Sequence, residues 1–277
     1  MLQFKVDTDT CIQCGECAKD CPYMVIEMGE DGFPRAIADR EGQCIQCQHC
    51  MTICKPGSLS ILGKDPADSL PLKGNLPSQQ QMETLVMGRR SVRRYKDEPV
   101  DSDVIARMLE ISAHAPTGVN NRGVLFTVVD DAEVMTKVRT RTMEGLGLAV
   151  REGKLPEGLE FMADFVRLWE DKGVDVLFRG APHLLVASSP KSGPCPDVDC
   201  HIAMTNFELL AASMGLGALW DGLFKWALTM ILPDLMKDLG IPEDHKVGYA
   251  MVFGKPAVKY HRTVQRSDAK VNRVTAI

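Results

Sequence analysis

Two runs of four cysteines constrain this chain before anything else does. Cys11, Cys14, Cys17 and Cys21 are spaced C-x2-C-x2-C-x3-C with Pro22 directly behind, and Cys44, Cys47, Cys50 and Cys54 repeat that spacing with Pro56 one residue late. Both runs open on Cys-Ile-Gln-Cys, at 11–14 and 44–47, so the segment reads as an internal duplication. A structural zinc site takes four ligands, usually as two pairs across a longer loop. Three close thiols plus a fourth, twice over, exceed that need. A disulfide framework suits a short secreted chain. This chain opens Met-Leu-Gln-Phe-Lys-Val with no apolar signal segment, which sets the expectation of a reducing, cytoplasmic environment. The spacing matches a known iron–sulfur cluster run, and iron–sulfur chemistry is the expectation.

Over residues 1–62 the segment resembles bacterial two-cluster ferredoxins. The resemblance implies two [4Fe–4S] clusters with crossed ligands: three thiolates of one run cap three iron corners, and the fourth reaches the other cluster. Cys11, Cys14, Cys17 and Cys54 would then hold one cluster, and Cys44, Cys47, Cys50 and Cys21 the second.

A length of 277 residues favours about two domains of ordinary size. Residues 65–79 contain Pro66, Pro71 and Pro77 with Gly74 and little apolar periodicity, which predicts a stiffened linker between a domain at 1–64 and another at 80–277. The formal net charge is −5, and residues 1–65 hold 10 acids against 6 bases. A basic nucleic-acid footprint is absent. No apolar run approaches the roughly 18 residues of a membrane span.

Beyond the linker, periodicity alternates between helical and extended. Ser78 is a candidate cap for a helix ending near Gly88. Val104, Ile105, Met108, Leu109 and Ile111 form the apolar stripe of a second helix from about Ser102, stopped by Pro116. Val124–Val129 and Leu184–Ala187 read as buried strands, Gly217–Trp220 and Lys246–Gly254 as two more. Ala132–Val150, Leu159–Glu170 and Asp199–Met214 read as helices. The pattern predicts an α+β domain with helices layered on a central sheet.

Four stretches of this domain together resemble the FMN-dependent nitroreductase family, whose members are dimers sharing their flavin sites. Arg89-Arg90-Ser91-Val92-Arg93 is similar to the stretch that grips the flavin phosphate, ribityl chain and ring edge, which implies those roles for Arg89, Arg90, Ser91 and Arg93. Ala115-Pro116-Thr117-Gly118-Val119-Asn120 resembles a loop lent to the partner's flavin, implying contacts from Pro116, Thr117, Gly118 and Asn120. Where many members continue Gln-Pro-Trp, this chain has Arg122-Gly123-Val124. Trp220, Asp221 and Gly222 take the positions that cover one flavin face and donate a backbone N–H to its N5 atom. Gly254-Lys255-Pro256, followed by Tyr260-His261-Arg262 and Arg266, resembles the end of the family's last strand, implying phosphate contacts from Arg262 and Arg266.

Other residues read as structural. Cys195 and Cys200 are not spaced as a redox pair, and His183 and His201 lie where core or surface histidines are common. No Ser-His-Asp arrangement or HExxH motif is present, and no catalytic acid is named. The expectation is a homodimeric iron–sulfur flavoprotein oxidoreductase in which FMN reduces a small organic substrate, nitroaromatic or quinone-like, with the ferredoxin segment relaying electrons from reduced ferredoxin or alongside NAD(P)H. Two alternatives stay open: flow from flavin to clusters toward an external acceptor, and a carrier whose flavin domain is a docking module.

Overall fold

The computed structural model describes residues 2–277. The chain up to Pro77, with Val119–Asn121, makes one compact unit; Ser78–Gly118 with Arg122–Ile277 makes the other.

In the first unit β1 (Lys5–Val6), the one-turn helix α1 (Glu16–Lys19), β2 (Ile26–Met28), β3 (Pro34–Ala36), the one-turn helix α2 (His49–Thr52) and β4 (Leu59–Ser60) follow in order. The strands form two antiparallel ribbons, β1 with β4 and β2 with β3. The duplication in sequence is a duplication in backbone. Gln13 and Gln46 take φ of 55° and 56°, and Gly15 and Gln48, which cap α1 and α2, take 72° and 61°. Left-handed residues other than glycine cost about 1 kcal/mol or more each, so their repetition at matched places marks a demand that the site makes on the backbone. The core is small: Leu2, Val25, Ile26, Met51, Leu59 and Ile61, completed by Cys17 and Cys50.

The second unit begins with α3 (Gln79–Gly88). Ser78 accepts from the Gln81 N–H while the Gln81 side chain accepts from the Ser78 N–H, a full capping box. No residue of α3 is buried. α4 (Ser102–Ser112), capped by Asp101, buries Ile105 and Met108; it stops short of Pro116, since the residue before a proline avoids helical ψ. Then come β5 (Leu125–Val129), α5 (Ala132–Arg151), α6 (Met162–Lys172), β6 (His183–Pro190), α7 (Pro196–Ser213), β7 (Gly217–Trp220), α8 (Gly222–Trp226), α9 (Pro233–Asp238) and β8 (His245–Gly254).

The four strands pair antiparallel in the order β5-β6-β8-β7. Two apolar cores lie on the sheet. One gathers α5, α6, α8 and α9 around Leu146, Phe178 and Phe224; the other packs α4 and α7 through Met108, Met204 and Phe207. β6 is buried almost throughout, as expected, but only Val129 of β5 is buried. The expectation of a buried strand at 124–129 fails because β5 is an edge, paired on one side only. The run from Gly222 to Asp238, including a π turn at Ala227–Ile231, had no periodic signal because its helices are each barely a turn long. Among the described residues no helix is long and apolar enough to cross a membrane.

Candidate functional site

The turn after α3 and the start of β7 are far apart in sequence and meet in space. Ser91 bridges Ala218 in parallel, and the Val92 N–H donates to the Ala218 carbonyl at 3.0 Å. This approach requires a glycine at 217: a Cβ there would lie 2.5 Å from a Val92 methyl carbon. Arg89, the C-cap of α3, donates through Nη1 to Glu208 Oε1 of α7 at 2.7 Å. Glu208 is only 6% exposed, so that guanidinium compensates a carboxylate withdrawn from water. Arg90 donates through Nη2 to the Met87 carbonyl, while its Nε is buried with no partner among the described residues. Arg93 Nη1 reaches the Ser91 carbonyl at 3.4 Å.

Past β7 the Asp221 N–H extends the ladder by one bond, to the Ala250 carbonyl at 2.9 Å. Its side chain then caps α8, Oδ1 accepting from the Phe224 N–H at 2.9 Å. Asp221 is 3% exposed and its Oδ2 has no partner among the described residues. Burial pushes this carboxyl up to about 7; the Phe224 hydrogen bond opposes the shift, Asp175 adds to it and Arg179 offsets part. The structure thus sets the Arg89–Arg93 turn against the strand that leads into Trp220, Asp221 and Gly222.

The remaining flavin candidates are held elsewhere. Pro116 is exposed. Thr117 Oγ1 accepts from the Arg122 N–H at 2.9 Å, and the Gly118 N–H donates to Asp199 Oδ1 at 3.0 Å, tying the loop to the start of α7. Asn120, with φ of 55°, groups with the first unit. Arg262 and Arg266 lie exposed beyond β8 and make no hydrogen bond or ion pair among the described residues.

In the first unit Cys11, Cys14, Cys17 and Cys54 line one pocket, with Val6, Ile12, Pro34, Pro56 and Leu59 as its apolar wall. The thiol that joins the first run is thus the last of the second. Burial raises the Cys17 thiol, and Cys54 and Cys14 add to the shift. Burial pushes Cys50 up to about 12, with Cys47 and Cys44 adding. Iron bound at these places would offset the cost of burial, since a metal-ligating cysteine is a thiolate. The Gln46 N–H lies 3.4 Å from Cys44 Sγ, and the Ser58 N–H 3.3 Å from Cys54 Sγ. With left-handed residues at 13, 15, 46 and 48, successive N–H groups can form the concave nests that favour anionic iron–sulfur centres. Among the described residues no three His, Cys, Asp or Glu side chains converge as ligands of a single ion. Cluster ligands stand on separate iron corners and surround a volume, so they need not converge on one point.

A nitroreductase family model matches residues 86–255, and a 4Fe-4S dicluster domain model matches residues 10–59. The chain belongs to the nitroreductase family. A Methanothermobacter thermautotrophicus relative with NADH dehydrogenase/NAD(P)H nitroreductase in its name is 28% identical over 174 residues, 61% of this chain and 74% of its own. A ferredoxin of Pyrobaculum islandicum is 30% identical over 69 residues, 25% of this chain and 62% of its own. The crystal structure of a nitroreductase with bound FMN from Bacteroides fragilis aligns with a TM-score of 0.56 at 23% identity, covering 71% of this chain and all of that one; this likeness is one of fold.

Sequence reading did not reach Glu208 or Tyr249. Neither lies in a family-like stretch, and each meets its stretch only through the packing of α7 and β8. His183 and Cys200 are structural: His183 Nε2 accepts from the Val100 N–H at 2.8 Å, and Cys200 is buried in the α4–α7 core.

Proposed function

We propose that this nitroreductase-family protein is an FMN-dependent oxidoreductase whose N-terminal unit carries two [4Fe–4S] clusters that relay electrons to the flavin. The domains are then 1–64 for the clusters, 65–79 as linker and 80–277 for the flavin. The observation that carries this reading is the Ser91–Ala218 bridge, which sets the basic turn against the strand leading into the Trp220–Gly222 turn. Arg90, with a buried donor lacking a partner, together with Arg89, Ser91 and Arg93, would hold the doubly charged phosphate. Bound FMN would supply hydride exchange with an organic substrate and single-electron exchange with a cluster. Trp220, Asp221 and Gly222 would orient the ring, and a backbone N–H at its N5 edge would favour the reduced state.

A homodimer fits α3, which lies wholly at the surface with Met82, Val86 and Met87 exposed. It also gives Pro116, Thr117, Gly118 and Asn120 a role at the partner's flavin. The substrate class is a small nitroaromatic or quinone-like acceptor, with NAD(P)H or reduced ferredoxin as donor.

Stopped-flow reduction by a reduced low-potential ferredoxin tests the relay. The full chain should reduce its flavin fast, and a chain beginning at Ser78 should keep FMN and any direct hydride chemistry but lose that fast phase. Equal rates in the two forms would remove the clusters from the route.

A further inference from the structure

The turn assigned to the flavin rests on a side chain outside every family-like stretch. Beyond Trp220 the chain makes one more ladder bond to β8 and then lifts off the sheet at Gly222 to begin α8. Tyr249 of β8 fills the space beneath the lift. A Cβ on Gly222 would lie 2.7 Å from the Tyr249 hydroxyl oxygen and 3.6 Å from Cζ.

The ring cannot easily yield. Trp220 meets it edge-on at 5.2 Å between centroids, His201 does so at 5.5 Å, and the Lys225 ammonium stands 5.1 Å above its centroid. His201 also stacks on Trp220, with centroids 6.0 Å apart and planes within 13°. Such ring contacts each add a modest stabilisation with a defined geometry, and the cation adds another. A phenol hydroxyl has no rotamer that moves its oxygen away from the ring axis, so the tip of Tyr249 is a fixed point under the turn.

We propose that Tyr249 is the positioning residue of the Trp220–Gly222 turn, setting where its backbone lies against the flavin, and that residue 222 is glycine because Tyr249 is there. The flavin half of this inference rests on the reading given under Proposed function. The steric half stands on the Gly222–Tyr249 contact alone.

The test is a cycle of Tyr249→Phe, Gly222→Ala and the double variant in the full chain. Thermal melting of flavin-free protein, FMN affinity by fluorescence quenching and the flavin midpoint potential are measured for each. Gly222→Ala should lower the melting temperature and weaken FMN binding about tenfold, and adding Tyr249→Phe should recover most of both losses. Tyr249→Phe alone should melt near the parent and hold FMN, but with a lower potential, because a loosened N–H donor favours reduced flavin less. Gly222→Ala losses of equal size in both backgrounds would overturn the steric claim. An unchanged potential in Tyr249→Phe would overturn the positioning claim. A parent chain that takes up no FMN would instead overturn the flavin reading, while melting still decides the contact.

Discussion

The two units of this chain are held together by different means. The flavin-type unit encloses a sheet between helix layers, with β6 and β8 buried nearly end to end and large side chains such as Phe178, Phe207 and Phe253 fully out of water. The cysteine unit has six apolar residues in its core, two-residue strands, one-turn helices and several left-handed residues. Small domains with so little apolar area to bury depend on staples. The difference predicts that a cofactor is cargo in one unit and the principal structural element in the other.

Iron removal gives the largest expected effect on that contrast. Chelation under reducing conditions should unfold the cysteine unit and leave the flavin-type unit folded, followed by hydrogen exchange resolved along the chain. Intact protein should contain about eight iron and eight sulfide, and Cys54→Ala should lose close to half, with damage concentrated on the set containing Cys11. Protection of residues 2–64 that survives full iron loss would break the comparison.

Within the flavin-type unit, Arg89→Ala should cost about 3 kcal/mol in urea unfolding, because it leaves Glu208 buried without its partner. FMN retention should fall as well. A loss of FMN without a loss of stability would show that Glu208 does not need its cation.

The last expected effect is one of pH. The Asp221 carboxyl is raised from 3.8 to about 7 in the folded state. Its contribution to stability is therefore complete below about pH 4 and disappears as pH rises through about 7. Asp221→Asn keeps an acceptor for the Phe224 N–H and removes the titration. The flavin-free variant should match the parent near pH 4 and exceed it by up to about 4 kcal/mol at pH 8 in thermal melts. Parallel pH profiles for the two would show that the buried carboxyl is not a source of instability.

Much of this was legible in sequence where local chemistry decides. The cysteine spacing named its own groups, and the capping box of Ser78 and Gln81 is a contact between neighbours three residues apart. Strand β6 announced itself as a continuous apolar run. Partners brought by tertiary packing left no trace: Glu208 and Arg89 are 119 residues apart, and no local rule pairs them. Edge or centre is likewise a property of the assembled sheet, which is why Val124–Val129 looked like an interior strand. The short segments from Gly222 to Asp238 escaped because periodicity needs more than one turn to show.

Cys54 standing in the pocket of Cys11, Cys14 and Cys17 has a topological consequence. A cluster seated there would be a cross-link that closes residues 11–54 into a loop, with its greatest effect on the chain's freedom when unfolded. Loop closure restricts an unfolded chain more as the loop lengthens. A backbone nick between the two halves of the repeat would therefore leave them joined through iron. With crossed ligation, each half would lend one thiol to the other's cluster, and neither cluster would assemble on one half alone.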